Sequence, residues 1–348
     1  MNQFSPETEV SAASLSSRPS AVRPTVSIVI VSFNTRDVLR ECLQTLQRQA
    51  GSVSYETVVI DNNSRDGSAE MVEAEFNWAR VVRCDRNLGF AGANNRGFPR
   101  ATGRYVVLLN SDAFLQPGAL ERAVEHMDMN PMVGLAGGRL VGRDGSWQPS
   151  ARMFPSLLNE LLVMSGLSTR YSKSRFFGRV DQTFADPSEP SQIDWVPGAF
   201  SIIRRDILEK IGYFDERFFL YYEEVDLCRR LKAAGYQIWY WPDIQVVHLG
   251  GESSKTIKHI KLSSSGSQLT LWRMRSRLLY YRKHHGAFGA WSALMLEGWW
   301  NRLRLLRNLM SNRDERRLNA DDSRASIATL RQAWTDTQGG KSSPPQPW

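Results

Sequence analysis

Residues 218–230, FFLYYEEVDLCRR, place three carboxylates, Glu223, Glu224 and Asp226, within four positions behind a run of aromatic and apolar side chains. Carboxylates set against apolar surface are costly to ionise unless a cation, a hydrogen-bond donor or a reacting proton compensates. A general base beside a polar substrate needs that setting. The competing reading is a helix N-terminus, whose dipole acids in the first turn would complement. Asn110-Ser111-Asp112 closes the run YVVLL. A carboxylate there is a natural ligand for a hard cation, with a sugar nucleotide's diphosphate supplying further oxygens, or else it makes an Asx-type turn. Asp61 follows the apolar run VVI and opens DNNSRDGS, where a short acceptor can read a base N–H or ribose hydroxyls, or again simply turn the chain. The run NLGFAGANNRG, residues 87–97, allows close backbone approach to a ligand before a helix begins. It is neither a Walker A loop nor a GxGxxG fingerprint.

The segments between these residues alternate in pattern. Residues 26–33 (VSIVIVSF) form a near-continuous β-branched run, as in a strand buried on both faces. Val38, Leu39, Cys42, Leu43 and Leu46 have helical spacing. Strand-like pieces follow at 57–60, 79–82, 105–109, 199–203, 236–241 and 245–248, and helix-like ones at 69–78, 94–100 and 206–211. This alternation predicts an α/β domain with a mostly parallel sheet, whose ligands bind beyond the carboxyl ends of the strands. Asn34, Asp61 and Asn110–Asp112 fall there. Residues 149–190 read as an irregular insertion or flexible loop.

Composition sets the outer bounds. The 348 residues are 42% apolar and 23% charged, enough for one large core plus an appendage. Three cysteines far apart form no CxxC pair, which argues against a zinc cluster or disulfide framework and suits a reducing compartment. Residues 1–24 lack a signal-peptide layout and read as a disordered leader. The net charge of +8 is concentrated late, in Arg273, Arg275, Arg277, Arg282, Lys283, Arg302, Arg304 and Arg307, interleaved with Trp, Leu, Tyr and Met. No nucleic-acid-binding motif accompanies them, so an anionic membrane surface is the stronger reading and nucleic acid the weaker.

Seven segments in order, VSIVIVSFN, VVIDNNSRDGS, RNLGFAGANNRG, LLNSD, WVPGAFSIIRRD, GYFDERFFLYYEEVDLCRR and VVHLGGES, together resemble the family 2 inverting glycosyltransferases of the GT-A fold. Within these, the chain is most similar to the bacterial rhamnosyltransferase-like branch. The resemblance spans residues 26–253, about two-thirds of the chain. It implies a GT-A domain over 25–254: a Rossmann-like nucleotide-diphospho-sugar transferase sheet flanked by helices. It also implies that Asp61 contacts the base or ribose, aided by Ser32, Asn34 and the 87–95 loop with Asn87, Gly89 and Asn94. Asp112 would be the last acid of a DXD-like motif and bind Mg²⁺ or Mn²⁺ bridging the diphosphate, with His248 on the metal or the diphosphate. Trp195, Gly198 and Ala199 would line the sugar and acceptor pocket, a core role for Trp195 being the alternative.

Two departures stand out. The family's acidic pair is usually Glu-Asp and is here Glu223-Glu224; Glu224 is the expected base, with Glu223 and Asp226 orienting or in reserve. Asp226 could instead pair with Arg229 or Arg230 across a helical turn. Asn110 occupies the place where a full DXD has Asp, which leaves the metal site less anionic. The expected activity is transfer of a sugar, with dTDP-rhamnose as the suggested donor, to a glycan or lipid-linked acceptor at the cytoplasmic face of the inner membrane. A non-catalytic sugar-nucleotide or glycan-binding protein is the alternative of a different class. A nucleotidyltransferase is disfavoured, since SFNTRD replaces the basic, Gly-rich loop it would show after the first strand. Residues 255–311 predict a helical arm of two stretches, either lying in a membrane interface or else packing on the catalytic domain or making a dimer contact. Residues 312–348 read as a disordered tail.

Overall fold

The computed structural model describes residues 23–49, 51–250, 268–310 and 314–344. Nearly all of the expected leader, and residues 251–254 at the expected domain boundary, lie outside these.

The β-branched run forms β1 (Val26–Ser32), buried on both faces between two parallel neighbours. These are β2 (Tyr55–Asp61) and β4 (Tyr105–Asn110); β3 (Ala79–Arg83) extends the sheet beyond β2. Between β1 and β2, α1 (Arg36–Gln49) buries Leu39, Cys42, Leu43 and Leu46. The parallel register pairs Ser32 with Asp61 and Val31 with Asn110, so the carboxyl ends of three strands are level. That alignment brings residues far apart in sequence into one row.

Beyond β4 the sheet becomes mixed. Two further strands are β6 (Val133–Val141) and β9 (Phe200–Arg204), with β9 antiparallel to both β4 and β6. The strand β10 (Gln237–His248) runs parallel to β6, and the short β5 (Ala113–Leu115) pairs antiparallel with the end of β10. Small antiparallel pieces, β7 (Trp147–Gln148) and β8 (Ser191–Gln192), edge β6 and β10. Apolar clusters cover the two sheet faces, one including Ile28, Leu43 and Leu109 and the other Val29, Phe98 and Leu227.

The flanking helices are α2 (Ser68–Glu75), α3 (Gly89–Gly97), α4 (Ala119–Met129), α5 (Leu157–Met164), α6 (Leu167–Arg170), α7 (Arg205–Ile211) and α8 (Glu223–Ala233). The stretch 149–190 is thus not wholly irregular. Ser156 caps α5 by accepting from the Asn159 N–H at 3.2 Å, and Leu162 is buried beneath it.

The arm begins as α9 (Gln268–Leu309), broken at Gly286 with φ 71° and ψ −170°, where the two expected stretches meet. The expectation of disorder after residue 312 is corrected by α10 (Asp314–Asp336), a helix lying along α9. Its buried residues include Ala320, Ser323, Leu330 and Ala333, mostly too small to give an apolar signal among so many charges. The Arg275 Nε donates to Asp336 at 2.9 Å and fixes its end.

Candidate active site

The donor end is built on the level strand ends. Asp61 is buried; its Oδ2 accepts the Ser64 N–H at 3.2 Å, while its buried Oδ1 has no hydrogen-bond partner among the described residues. A buried acceptor in that state calls for a ligand N–H or hydroxyl. Ser32 Oγ pairs with Thr35 Oγ1 at 3.0 Å, and Thr35 bonds Ser111 at 3.1 Å, tying the ends of β1 and β4. Asn34, at φ 54°, accepts from Arg65 N–H at 2.7 Å and donates its own N–H to Ser64 Oγ at 3.0 Å. These residues form one polar cradle.

The glycine-rich loop is held by its own hydrogen bonds. Asn87 Oδ1 accepts from Asn62 Nδ2 and from Gly89 N–H, and Asn94 Nδ2 donates to the Phe90 carbonyl. Gly89 has φ 73°, and a Cβ there would stand 2.1 Å from the Phe219 carbonyl oxygen. Phe90 N–H donates to that carbonyl at 2.8 Å. The close approach at Gly89 is therefore to the aromatic loop before α8. Asn87, Gly89 and Asn94 brace that contact.

Asp112 and His248 are brought together by the β5–β10 pairing, which sets His248 opposite Ala113. His248 Nε2 lies 3.6 Å from Asp112 Oδ1. Gln148 donates its Nε2 to the His248 carbonyl at 2.8 Å, which leaves Gln148 Oε1 as the acceptor for His248 Nδ1 at 2.9 Å. Burial lowers the imidazole pKa, opposed by the Asp112 charge. In the neutral ring, with its proton on Nδ1, the Nε2 lone pair faces a carboxylate oxygen. Two acceptors so placed fit a divalent cation between them. Among the described residues no group of three or more His, Cys, Asp or Glu is arranged for an ion, so diphosphate or water oxygens would complete the shell.

The acid cluster divides in two. Tyr221 and Tyr222 both have φ 70°, a costly conformation for aromatic residues, held by packing such as the Tyr222–Tyr280 ring contact at 5.4 Å. The reversal delivers Glu223 and Glu224 as the first residues of α8. Glu223 is buried, Glu224 half-buried, and each has a buried Oε2 without a hydrogen-bond partner among the described residues. Burial, then the neighbouring Glu224 charge, raises the Glu223 pKa well above the usual range. Burial also pushes Glu224 up to about 7, against the lowering effects of Arg152 and of a hydrogen bond from Glu223. Both shifts favour the protonated form and set the pair against carrying two charges.

Asp226, one turn on, does not belong to that pair. Its fully buried carboxylate meets Arg230 at 2.8 Å, Lys283 at 2.7 Å and His284 at 2.8 Å. Burial raises its pKa, but His284, Arg230 and Lys283 outweigh that and hold it below the ordinary carboxylate value. It is the tether of α8 to the arm.

The expected pocket residues are also built in. Ala199 accepts the Asn110 N–H at 3.0 Å, and a Cβ on Gly198 would come 3.3 Å from the Phe90 ring. Trp195 donates Nε1 to the Met153 carbonyl at 2.9 Å and packs into the core edge, with the Arg152 guanidinium 5.2 Å from its ring centre. Arg152 was not singled out in the sequence. It pairs with Asp181 at 3.2 Å, keeps a buried Nε without a partner among the described residues, and acts electrostatically on Glu224. The ordered loop around it carried no sequence signal beyond its Pro and Ser content.

The mixed sheet, its row of polar strand ends and the acid pair opening α8 fit the GT-A glycosyltransferase fold. The family model for glycosyl transferase family 2 matches residues 27–212, and the chain belongs to that family. It is 29% identical over 220 residues to the N-acetylglucosaminyl-diphospho-decaprenol L-rhamnosyltransferase of Mycobacterium tuberculosis, covering 58% of this chain and 71% of that protein. It is 23% identical over 266 residues to the rhamnosyltransferase WbbL of Escherichia coli, covering 73% and 92% respectively. Among solved structures, the mannosyltransferase PcManGT of Pyrobaculum calidifontis, in complex with GDP-Man and Mn²⁺, shares the fold at a TM-score of 0.51 and 17% identity over 90% of this chain and 88% of that one. GalNAc-T7 with UDP, GalNAc and Mn²⁺ does so at 0.54 and 16%, over 91% and 58%.

Proposed function

We propose that this glycosyltransferase moves rhamnose from dTDP-rhamnose, with inversion, to a lipid-linked glycan acceptor in cell-surface polysaccharide synthesis. The reaction would take place at the cytoplasmic face of the inner membrane. The names of both relatives support rhamnose as the sugar moved, and the name of the mycobacterial one supports a lipid-linked acceptor. The observation that carries the chemistry is the Glu223–Glu224 pair, each with a buried Oε2 lacking a partner among the described residues and Glu224 pushed up to about 7.

Glu224 accepts the proton of the acceptor hydroxyl as that oxygen attacks the anomeric carbon from the face opposite the nucleotide. The new C–O bond forms as the bond to the diphosphate breaks, and the diphosphate leaves with the electron pair. Attack opposite the leaving group inverts the centre. Glu223, biased by burial toward its protonated form, keeps a second charge out of the site. Asp61 holds the base or ribose, and the Ser32–Asn34 turn shapes that end. Asp112 and His248 would hold Mg²⁺ or Mn²⁺, which when bound supplies positive charge to the diphosphate.

The test is nucleoside diphosphate release by the purified chain across a panel of sugar nucleotides, with a polyprenyl-diphosphate-linked acceptor, in Mg²⁺, Mn²⁺ or EDTA. Acceptor-dependent release with dTDP-rhamnose, abolished by EDTA, is expected. Release with another donor alone would overturn the donor assignment, and release undiminished by EDTA would overturn the metal.

A further inference from the structure

After Gly286, α9 carries Phe288, Trp291, Trp299, Leu303, Leu306, Leu309 and Met310 outward; Phe288 is 76% and Trp299 61% exposed. At helical spacing these positions fall within an arc of about 120°. The opposite face, with Ala290, Ala293 and Asn301, is buried, and a Cβ on Gly298 would meet Leu330 of α10. The stripe is therefore the side of the helix that α10 does not cover. On α5, Leu157, Leu158, Leu161 and Val163 are exposed in the same way. The two helices meet at a shared arginine: Arg277, buried in the first half of α9, pairs with Glu297 in the second half and with Glu160 of α5 at 3.5 Å.

We propose that the outward faces of α5 and the distal half of α9 form one docking surface for an anionic lipid bilayer. Charge selects that occupant. Between residues 287 and 310 the sole acid is Glu297, which is turned inward onto Arg277, whereas Arg302 and Arg307 are exposed along the stripe. A second copy on the same stripe would set these arginines against their own kind, while anionic headgroups neutralise them. Trp and Phe at the level of the headgroups, with leucines beside them, suit an interface. Among the described residues no helix is long and apolar enough to cross a membrane, so the contact is peripheral. The basic cluster seen in the sequence is partly spent inside the protein, on Asp336 by Arg275, on Glu160 and Glu297 by Arg277, and on Asp215 and Asp226 by Lys283.

The junction also touches the acid pair. Tyr222, directly before Glu223, packs against Tyr280, Tyr281, Ala290 and Ala293 of α9, on both sides of the Gly286 break. The docking surface thus lies next to the base-bearing turn, where a lipid-linked acceptor must arrive; this last step rests on the transferase reading above.

Flotation of the purified chain with vesicles, without donor, tests the surface. Vesicles of phosphatidylcholine mixed with phosphatidylglycerol should carry the protein upward, those of phosphatidylcholine alone much less, and salt should weaken the binding. Trp299→Glu should lower the bound fraction about tenfold or more and Leu158→Glu severalfold, with thermal melting unchanged. A wild-type protein that stays unbound on all vesicles overturns the proposal. Leu158→Glu binding like wild type removes α5 from the surface. A dimer dispersed by Trp299→Glu, with no vesicle binding, replaces the lipid by a second copy. Vesicle binding needs no donor, so failure here and failure of transferase activity are read separately.

Discussion

Two carboxylate sites share the first turn of α8 and are held in opposite states. Glu223 and Glu224 are set into the protein with buried oxygens lacking partners among the described residues, and burial favours their protonated forms. Asp226, three positions from Glu223, is more deeply buried yet ionised, since His284, Arg230 and Lys283 surround it. Two of those three partners come from the arm. Burial alone therefore does not decide what an acid does; the cations that reach it decide. The arm takes Asp226 for structure, and the proposed mechanism gives the chemistry to the glutamates.

Substitutions can pull the two sites apart. Glu224→Gln should lower kcat about 10²–10⁴-fold with little change in melting temperature, read by product release and calorimetry. Asp226→Asn removes the buried carboxylate shared by Arg230, Lys283 and His284 and should cost about 3–5 kcal/mol, seen in urea unfolding. Gly89→Ala forces a left-handed alanine against the Phe219 carbonyl and should cost about 1–3 kcal/mol, loosening the loop that precedes both sites.

The smallest effects are in pH, and they have opposite signs. Glu224 must lose its proton to act, so kcat/KM should rise with pH through about 7 and then level. Its folded pKa lies above the ordinary carboxylate value, so the unfolded chain releases the proton first, and this contribution to stability is lost as pH rises through about 7. Asp226 is held below that value, so its contribution is present at neutral pH and lost as pH falls through the lowered pKa. Calorimetry across pH should show Asp226→Asn flattening the acid limb alone. Glu223→Gln should flatten the neutral limb and reduce the two-step titration of the pair to one.

Much of the donor half was legible in the sequence because β-branched runs, turn residues and strand-end acids are local signals. Ser32, Asp61 and Asn110 fell into one row because parallel register turns local strand ends into a common edge. Of the partners of Asp226, only Arg230, one helical turn away, was legible. Nothing near residue 226 announces Lys283 and His284, and Arg152 sat in a stretch that read as a loop. α10 went unseen because small residues make up much of its buried face. Glu224 and Asp226 differ through contacts more than fifty positions away, which no local pattern encodes.

The most direct test assays Glu224→Gln and Asp226→Asn side by side for acceptor-dependent nucleoside diphosphate release, scaled to the folded fraction of each. The expected result is loss of turnover with donor binding kept in Glu224→Gln, and a rate within about tenfold of wild type per folded molecule in Asp226→Asn. Near-wild-type turnover by Glu224→Gln, with the loss falling instead on folded Asp226→Asn, would contradict the division of the two sites.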